Sequence, residues 1–356
     1  MLLIVAHHYV VNSGLSSRIV AAPMALRSLF LLLFGAWGKT GINCFVLITG
    51  YFMCTSRITA KKFVKLVLEI EFYKLIFWLI FWLSGYERFS ISGLVYALLP
   101  ITSLATGFSS CYLVFYLLIP FLNALLQSIG EKQHICLLLL LSFAYIVIGT
   151  LPKINVTMSY VSWFVVLYIL AAYLRLYPKK LFANTRLWGW ATLGMLLISA
   201  ISVVGMTWLG VRLGRREMAF FYYFVSDSNK LFAVLLSLSG FLFFKNVRVP
   251  YSRLINTVAA SAFGVLLIHA NGDTMRRWLW RDVLDNVGAY SAPYLVIHAI
   301  GSVLVIFILC TAIDYLRLRF LEKPFFRLWD RQWERWVPKL REMEARIDAR
   351  LHIGEQ

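Results

Sequence analysis

The sequence predicts an all-α protein: a polytopic transmembrane helical bundle of about ten membrane helices, the first of them truncated. Three observations lead there. Of the 356 residues, 60% are hydrophobic and 16% aromatic, against roughly 45–50% apolar residues in a soluble domain. The apolar residues gather in blocks separated by short connections. Lys and Arg concentrate in the connections that fall on one side once the blocks are threaded through a membrane.

The first block, MLLIVAHHYVVN at 1–12, is too short to cross. Twelve helical residues rise about 18 Å, while the hydrocarbon core is about 30 Å thick. The chain is therefore expected to begin part-way through a helix. Blocks centred on 35–54, 66–84, 109–127, 135–151, 160–177, 187–209, 229–244, 255–270 and 293–316 supply the other helices. The block 93–106 carries Gly93 and Pro100 and runs almost directly into the next; it reads as a re-entrant or interfacial piece. No cleavable signal is expected, because no basic segment precedes the first block and no small-residue cleavage site follows it.

The formal net charge is +18, which raises nucleic acid as a partner, but the distribution points to a membrane. With the N-terminus inside, the cytoplasmic side receives Arg57, Lys61, Lys62 and Lys65, a second cluster at Arg175, Lys179, Lys180 and Arg186, and the tail from Arg317 to Arg350. Two outer loops, 212–216 and 276–281, run against this trend with three arginines each. In the tail, Phe320, Phe325, Phe326, Trp329, Trp333 and Trp336 alternate with the cations, as suits an interfacial helix on an anionic leaflet. Membrane lipid is the expected partner there, and nucleic acid is not. The five cysteines (Cys44, Cys54, Cys111, Cys136, Cys310) are odd in number and lack metal-ligand spacing, so they read as packing residues.

Ionisable groups at membrane depth are costly and so draw a functional reading. His7 and His8 stand about 100° apart on a helix, so they face different ways. Asn12 lies one turn beyond His8, in place to orient it. A histidine general base needs such a partner to fix its tautomer; a pair of interfacial histidines bonded to backbone or water is the other reading. In GINCFVLITGYFMC (41–54), Gly41 and Gly50 read as close-packing positions, and Asn43 is a polar group in an apolar helix. Arg57, Lys61, Lys62 and Lys65 suit the phosphates of a nucleotide-bearing donor and equally suit a topogenic loop. Glu71 with Lys74, Asp227 with Lys230, and Asp314 with Arg317 share the i,i+3 spacing of helical ion pairs. His269 closes the ninth block, followed by Asn271 and Asp273, in a capping or a catalytic arrangement; His298 reads as interfacial. The chain has no nucleotide-binding glycine loop, no HExxH and no serine elbow.

These pieces, in this order, resemble the acyltransferase-3 family of bacterial membrane O-acyltransferases, in the branch found with cell-surface polysaccharide genes. The matching segments are MLLIVAHHYVVN, INCFVLITGYFM, CYLVFYLLIPFLN (111–123), WFVVLYILAAYLR (163–175) and INTVAASAFGVLLIHAN (255–271). The resemblance implies a membrane acyltransferase domain over 1–316, followed by a basic amphipathic cytoplasmic tail over 317–356. It implies transfer of an acyl group, usually acetyl, from cytoplasmic acyl-CoA to a hydroxyl of a surface glycan or lipid-linked glycan. Acetyl-CoA would be a donor substrate, with no permanently bound cofactor and no metal. The expected location is the bacterial inner membrane, with both termini inside.

By register the family's catalytic histidine corresponds to His8, with His7 beside it. Asn12 and Asn43 then become candidate orienting or oxyanion-side donors. The family's basic motif is not matched as paired arginines; Arg57, Lys61, Lys62 and Lys65 are the nearest residues for the donor. The ninth-helix motif usually reads His-Asp-Asn, and here His269 and Asn271 carry over to the acceptor side while Ala270 replaces the acid. The arginine that usually precedes the catalytic histidine would fall before Met1. That implies a start assigned too late, or a product inactive as written; the half-helix favours the former. A transporter or flippase for a lipid-linked sugar or small anion is the alternative function, and a non-enzymatic scaffold subunit a third.

Overall fold

The computed structural model describes residues 1–99, 101, 107–154, 156 and 159–332. These fold as helices, with no strand among the described residues. A short α1 (Leu2–Val11) turns at Gly14, whose φ of 87° is one that L side chains rarely adopt. It leads through α2 (Leu15–Ala21) and α3 (Leu26–Gly35) to α4 (Gly38–Met53). Then come α5 (Ala60–Leu83), α6 (Ile91–Leu98) and α7 (Phe108–Ser128). The next crossing is α8 (Glu131–Ser142), joined by one π-helical turn to α9 (Ile148–Thr150). The second half holds α10 (Tyr160–Leu176), α11 (Thr185–Arg212), α12 (Met218–Phe221) and α13 (Leu231–Asn246). It closes with α14 (Arg253–Ala260), α15 (Ala262–His269), α16 (Asp273–Arg277), α17 (Asn286–Ala289) and α18 (Leu295–Arg317).

Among the described residues, five helices are long and apolar enough to cross a membrane: Leu26–Met53, Phe108–Ser128, Glu131–Thr150, Thr185–Arg212 and Leu295–Gln332. Leu2–Val11, Tyr160–Leu176 and Leu231–Asn246 are shorter apolar helices. Their starts follow local chemistry. Thr59, Ser159, Asn184 and Ser252 each accept a hydrogen bond from a backbone N–H in the first turn of the helix they cap, satisfying a donor that lipid could not.

Two elements differ from expectation. The 255–270 block is two helices rather than one: the Ser261 N–H bonds back to the Val258 carbonyl at 3.2 Å, a tight i−3 turn that interrupts the run. The last helix does not stop at Arg317 but continues to Gln332. Of the 93–106 block, residues 93–98 belong to α6, while 100 and 102–106, like the tail from 333 on with Trp333 and Trp336, lie outside the described residues.

α4 is the central post. It packs against α1, α10 and α13, while α1 also touches α3 and α18. Small residues set how closely α1 can approach, since apolar helices in lipid associate through packing rather than water exclusion. A Cβ at Gly41 would sit 2.9 Å from Ile4 Cγ1, and one at Gly38 would collide with the His7 side chain. On the other face of α4, a Cβ at Gly50 would lie 2.8 Å from Ala171 Cβ on α10. These glycines bring α1, with its two histidines, hard against the bundle.

Candidate acyl-transfer site

His7 and His8 do diverge. His7 Nδ1–H donates to the Gly35 carbonyl at 2.7 Å, at the turn between α3 and α4. His8 points the other way, to the C-terminal residue of α15, where its Nδ1 lies 3.0 Å from His269 Nε2. The two rings are 5.1 Å apart between centroids. His269 is fully buried, whereas His8 is half-buried.

The hydrogen bonds dictate the tautomers. His269 Nδ1 lies 2.5 Å from the Val265 carbonyl, which can only accept. In the neutral ring the proton is therefore on Nδ1, and Nε2 offers a lone pair. His8 must then donate from Nδ1, which leaves its Nε2 with a lone pair and no hydrogen-bond partner among the described residues. The relay runs from the Val265 carbonyl through His269 to an open nitrogen on His8. That nitrogen can take a proton from a hydroxyl or attack a carbonyl carbon.

Two expectations are corrected here. Asn12 does not orient His8: no hydrogen bond joins its side chain to the ring among the described residues, and His269 fills that role. Asn12 sits at the C-cap of α1, its backbone N–H bonded to the His8 carbonyl. Asn43 is not placed as an oxyanion donor. It is fully buried, donates to the Ser228 carbonyl at 2.7 Å and accepts from Trp163 Nε1 at 2.9 Å, so it ties α4 to α10 and to the loop before α13.

Other residues gather at the relay unannounced by spacing. Lys39, in the first turn of α4, directly follows Gly38, which abuts the His7 side chain. Its Nζ donates to the Tyr160 hydroxyl at 2.7 Å and lies 3.4 Å from Asp227. Asp227 thus pairs with Lys39 rather than with Lys230, whose amine reaches the Gly149 carbonyl at 2.5 Å. Arg276 on α16 donates from Nη1 to Asp273 at 2.9 Å. His298, expected at an interface, accepts from the buried Tyr9 hydroxyl at 2.8 Å and donates to the Leu284 carbonyl at 3.0 Å, fixing α1 to α18.

Two residues beyond His269, the chain lines a cleft of about 420 Å³. Asn271 and Asp273 form one side, with Asn271 anchored to the Leu267 carbonyl at 3.0 Å. Trp78 and Trp82, stacked 5.6 Å apart, and Tyr96 present aromatic surface from the other. Glu87, also in the wall, accepts from the Thr274 hydroxyl and pairs with Arg277. Aromatic faces with carboxylates and an amide beside them suit a ligand that is apolar on its ring faces and hydroxylated at its edges.

The basic cluster lies at the far end of α4. Lys61 pairs with Asp330 at 2.5 Å and Lys65 with Glu322 at 2.6 Å, both on the extension of the last helix. Lys62 donates to the Arg57 carbonyl at 3.0 Å. Deeper in, Arg317 bonds Glu69, Asp314 and Glu322 at 2.9, 2.9 and 2.7 Å. This network joins α5 to α18 where spacing alone indicates only the Asp314–Arg317 pair. The Glu71–Lys74 pair forms at 3.9 Å. Among the described residues, no group of three His, Cys, Asp or Glu is arranged to hold a metal ion.

The profile of a known family, described as an acyltransferase domain, matches residues 1–313. No curated protein and no solved structure matches the chain. The match takes in the relay, both lysine-rich and aromatic ends of the site, and every helix up to α18.

Proposed function

This chain belongs to the acyltransferase-3 family and is a membrane acyltransferase; from that premise we propose that it transfers an acyl group, acetyl in the first instance, from cytoplasmic acyl-CoA to a hydroxyl of an extracytoplasmic glycan. The observation that carries the proposal is the His8–His269–Val265 relay, which leaves one imidazole nitrogen open inside an apolar bundle. Nε2 of His8 takes the acceptor's hydroxyl proton while its oxygen attacks the thioester carbonyl. The carbon–sulfur bond then breaks, and the leaving thiolate recovers the proton from His8. In the two-step variant Nε2 itself attacks and carries the acyl group, and His269 accepts the Nδ1 proton; that route gives ping-pong kinetics.

The dimensions support a long-armed donor. α4 has 16 residues and so spans about 24 Å, with Gly38 against His7 at one end and the lysines beyond the other. A donor whose phosphates meet Arg57, Lys61, Lys62 and Lys65 needs a slender arm of that order to deliver its acyl carbon to His8, which a pantetheine thioester has. We assign the acceptor sugar, free or lipid-linked, to the cleft of Trp78, Trp82, Tyr96 and Asn271. Both termini would then lie on the donor's side of the plasma membrane. His7, whose Nδ1–H is tied to the Gly35 carbonyl, braces α1 beside the relay.

The test is proton NMR of surface polysaccharide, before and after mild alkali, from a strain lacking the gene and from one complemented with this chain. The proposal expects an alkali-labile ester that disappears with the gene and returns with the chain. An unchanged ester signal in the deleted strain contradicts it.

A further inference from the structure

We propose that the groove along α4, beside α11 and α13, is a binding site for one anionic phospholipid, with its tail in the groove and its phosphate held by Arg175 and Lys245. The groove holds about 560 Å³. It runs down α4 from Thr40 to Phe52, with Leu196 of α11 and Gly240 and Phe244 of α13 beside it. The stretch of α4 from Thr40 to Phe52 rises about 18 Å, close to the depth of one leaflet in a hydrocarbon core about 30 Å thick. Ile48, Phe52 and Phe244 are exposed, so the groove opens sideways to lipid and a chain can enter from the leaflet. At the Phe52 end, two cations converge on Tyr51. The Arg175 guanidinium lies 5.0 Å and the Lys245 Nζ 5.7 Å from the centre of its ring, and Arg175 also donates to its hydroxyl at 3.3 Å. Neither cation has a carboxylate partner among the described residues, whereas Lys179, four residues beyond Arg175, takes Glu131.

Two positive charges on one ring repel each other, and an anion between them relieves that repulsion. Asn246 donates to the Phe182 carbonyl at 2.7 Å and so fixes the end of α13 beside the connection that follows α10. The walls of the groove decide what the anion carries. The Cys44 thiol and the Thr192 hydroxyl are engaged by the Ser237 and Trp188 carbonyls at 3.7 and 2.6 Å. Thr40 alone offers a hydroxyl with no hydrogen-bond partner among the described residues. The amides of a pantetheine arm would therefore go largely unpaired here, at a cost in free energy, whereas hydrocarbon brings no such groups. That favours a lipid tail over the acyl donor. The head is a phosphate without a cation of its own, because a zwitterionic head would set its ammonium beside Arg175 and Lys245. Basic pockets between membrane helices take such anionic heads. A lipid seated there buttresses α4, the helix against which α1 and its histidines pack.

The experiment titrates the full-length protein in mild detergent with phosphatidylglycerol or phosphatidylcholine. Bound lipid is read by native mass spectrometry and stability by thermal unfolding, for the parent, Arg175→Gln/Lys245→Gln and Gly240→Leu. The parent should retain one phosphatidylglycerol in preference to phosphatidylcholine and unfold at a higher temperature with it. Loss of both charges should weaken phosphatidylglycerol binding by about 10–30-fold and leave phosphatidylcholine binding unchanged. A Cβ at Gly240 has room, 3.9 Å from Thr192 Cγ2, so the larger side chain in Gly240→Leu should exclude the tail and abolish retention. Equal retention of the two lipids by the parent overturns the inference, and so does phosphatidylglycerol binding unchanged in Arg175→Gln/Lys245→Gln. Displacement of phosphatidylglycerol from the parent by acetyl-CoA would give the groove to the donor and overturn it as well. Should Gly240→Leu fail to accumulate, the charge variant carries the comparison alone, since Arg175 is exposed and Lys245 half-buried.

Discussion

His8 Nδ1 and His269 Nε2, 261 residues apart in the chain, meet at 3.0 Å between the first helix and the end of α15. His269 is oriented from within its own helix, His8 from another. His269 takes its tautomer from the Val265 carbonyl and passes it on, so the state of the open His8 nitrogen is decided on another helix.

Replacing His269 therefore acts through His8. In His269→Ala the open nitrogen of His8 is no longer specified, and kcat should fall by about 10²–10⁴-fold, the range for a mispositioned general base. His269→Gln, whose amide oxygen can still accept from Nδ1–H, should recover part of that loss. Initial-rate kinetics of ester formation on equal amounts of membrane-inserted protein check this; equal rates in His269→Ala and the parent would contradict the relay.

The seam under α1 gives a stability prediction. A side chain at Gly38 collides with His7, and one at Gly41 meets Ile4. Gly38→Val should destabilise the protein by about 1–3 kcal/mol through overpacking and displace His7 and His8 together. A lowered melting temperature in detergent with reduced activity is expected, and parental values of both would show that α1 does not approach so closely.

Arg317 holds three carboxylates, two of them on its own helix run and one on α5. Arg317→Met leaves Glu69 and Asp314 buried without their cation, which should cost about 3–5 kcal/mol. Neutralising the acids as well, in Glu69→Gln/Asp314→Asn/Arg317→Met, should restore much of the stability. Thermal unfolding of the two variants separates a paired network from independent surface charges, for which the triple change would add to the damage.

Lys61 and Lys65 are exposed and paired with Asp330 and Glu322. The exposed Lys61–Asp330 pair contributes about 0–1 kcal/mol, and Glu322 keeps Arg317 when Lys65 leaves it, so an incoming phosphate can draw both lysines away. Lys61→Ala/Lys65→Ala should raise KM for acyl-CoA severalfold with little change in kcat, and more strongly at low salt. An unchanged KM at every ionic strength would remove the donor from this cluster.

Much of the architecture is legible in the sequence because its determinants are local. Block length and hydropathy mark the membrane helices, and the order of the five matching segments points to the family. The 100° between His7 and His8 correctly separates their directions. The partners are less legible, since spacing sees one helix at a time. Asp227 passes over Lys230, three residues on, for Lys39 on α4. His8 passes over Asn12, one turn away, for His269. Asn43 is spent on Ser228 and Trp163, brought to it only by folding.

The central claim is that the open nitrogen of His8 performs the transfer. Its most direct test is the formation of alkali-labile ester from labelled acetyl-CoA in membranes carrying either the parent chain or His8→Ala at matched levels. The account predicts ester with the parent and none above background with His8→Ala. Undiminished ester formation by His8→Ala would place the chemistry elsewhere in the bundle.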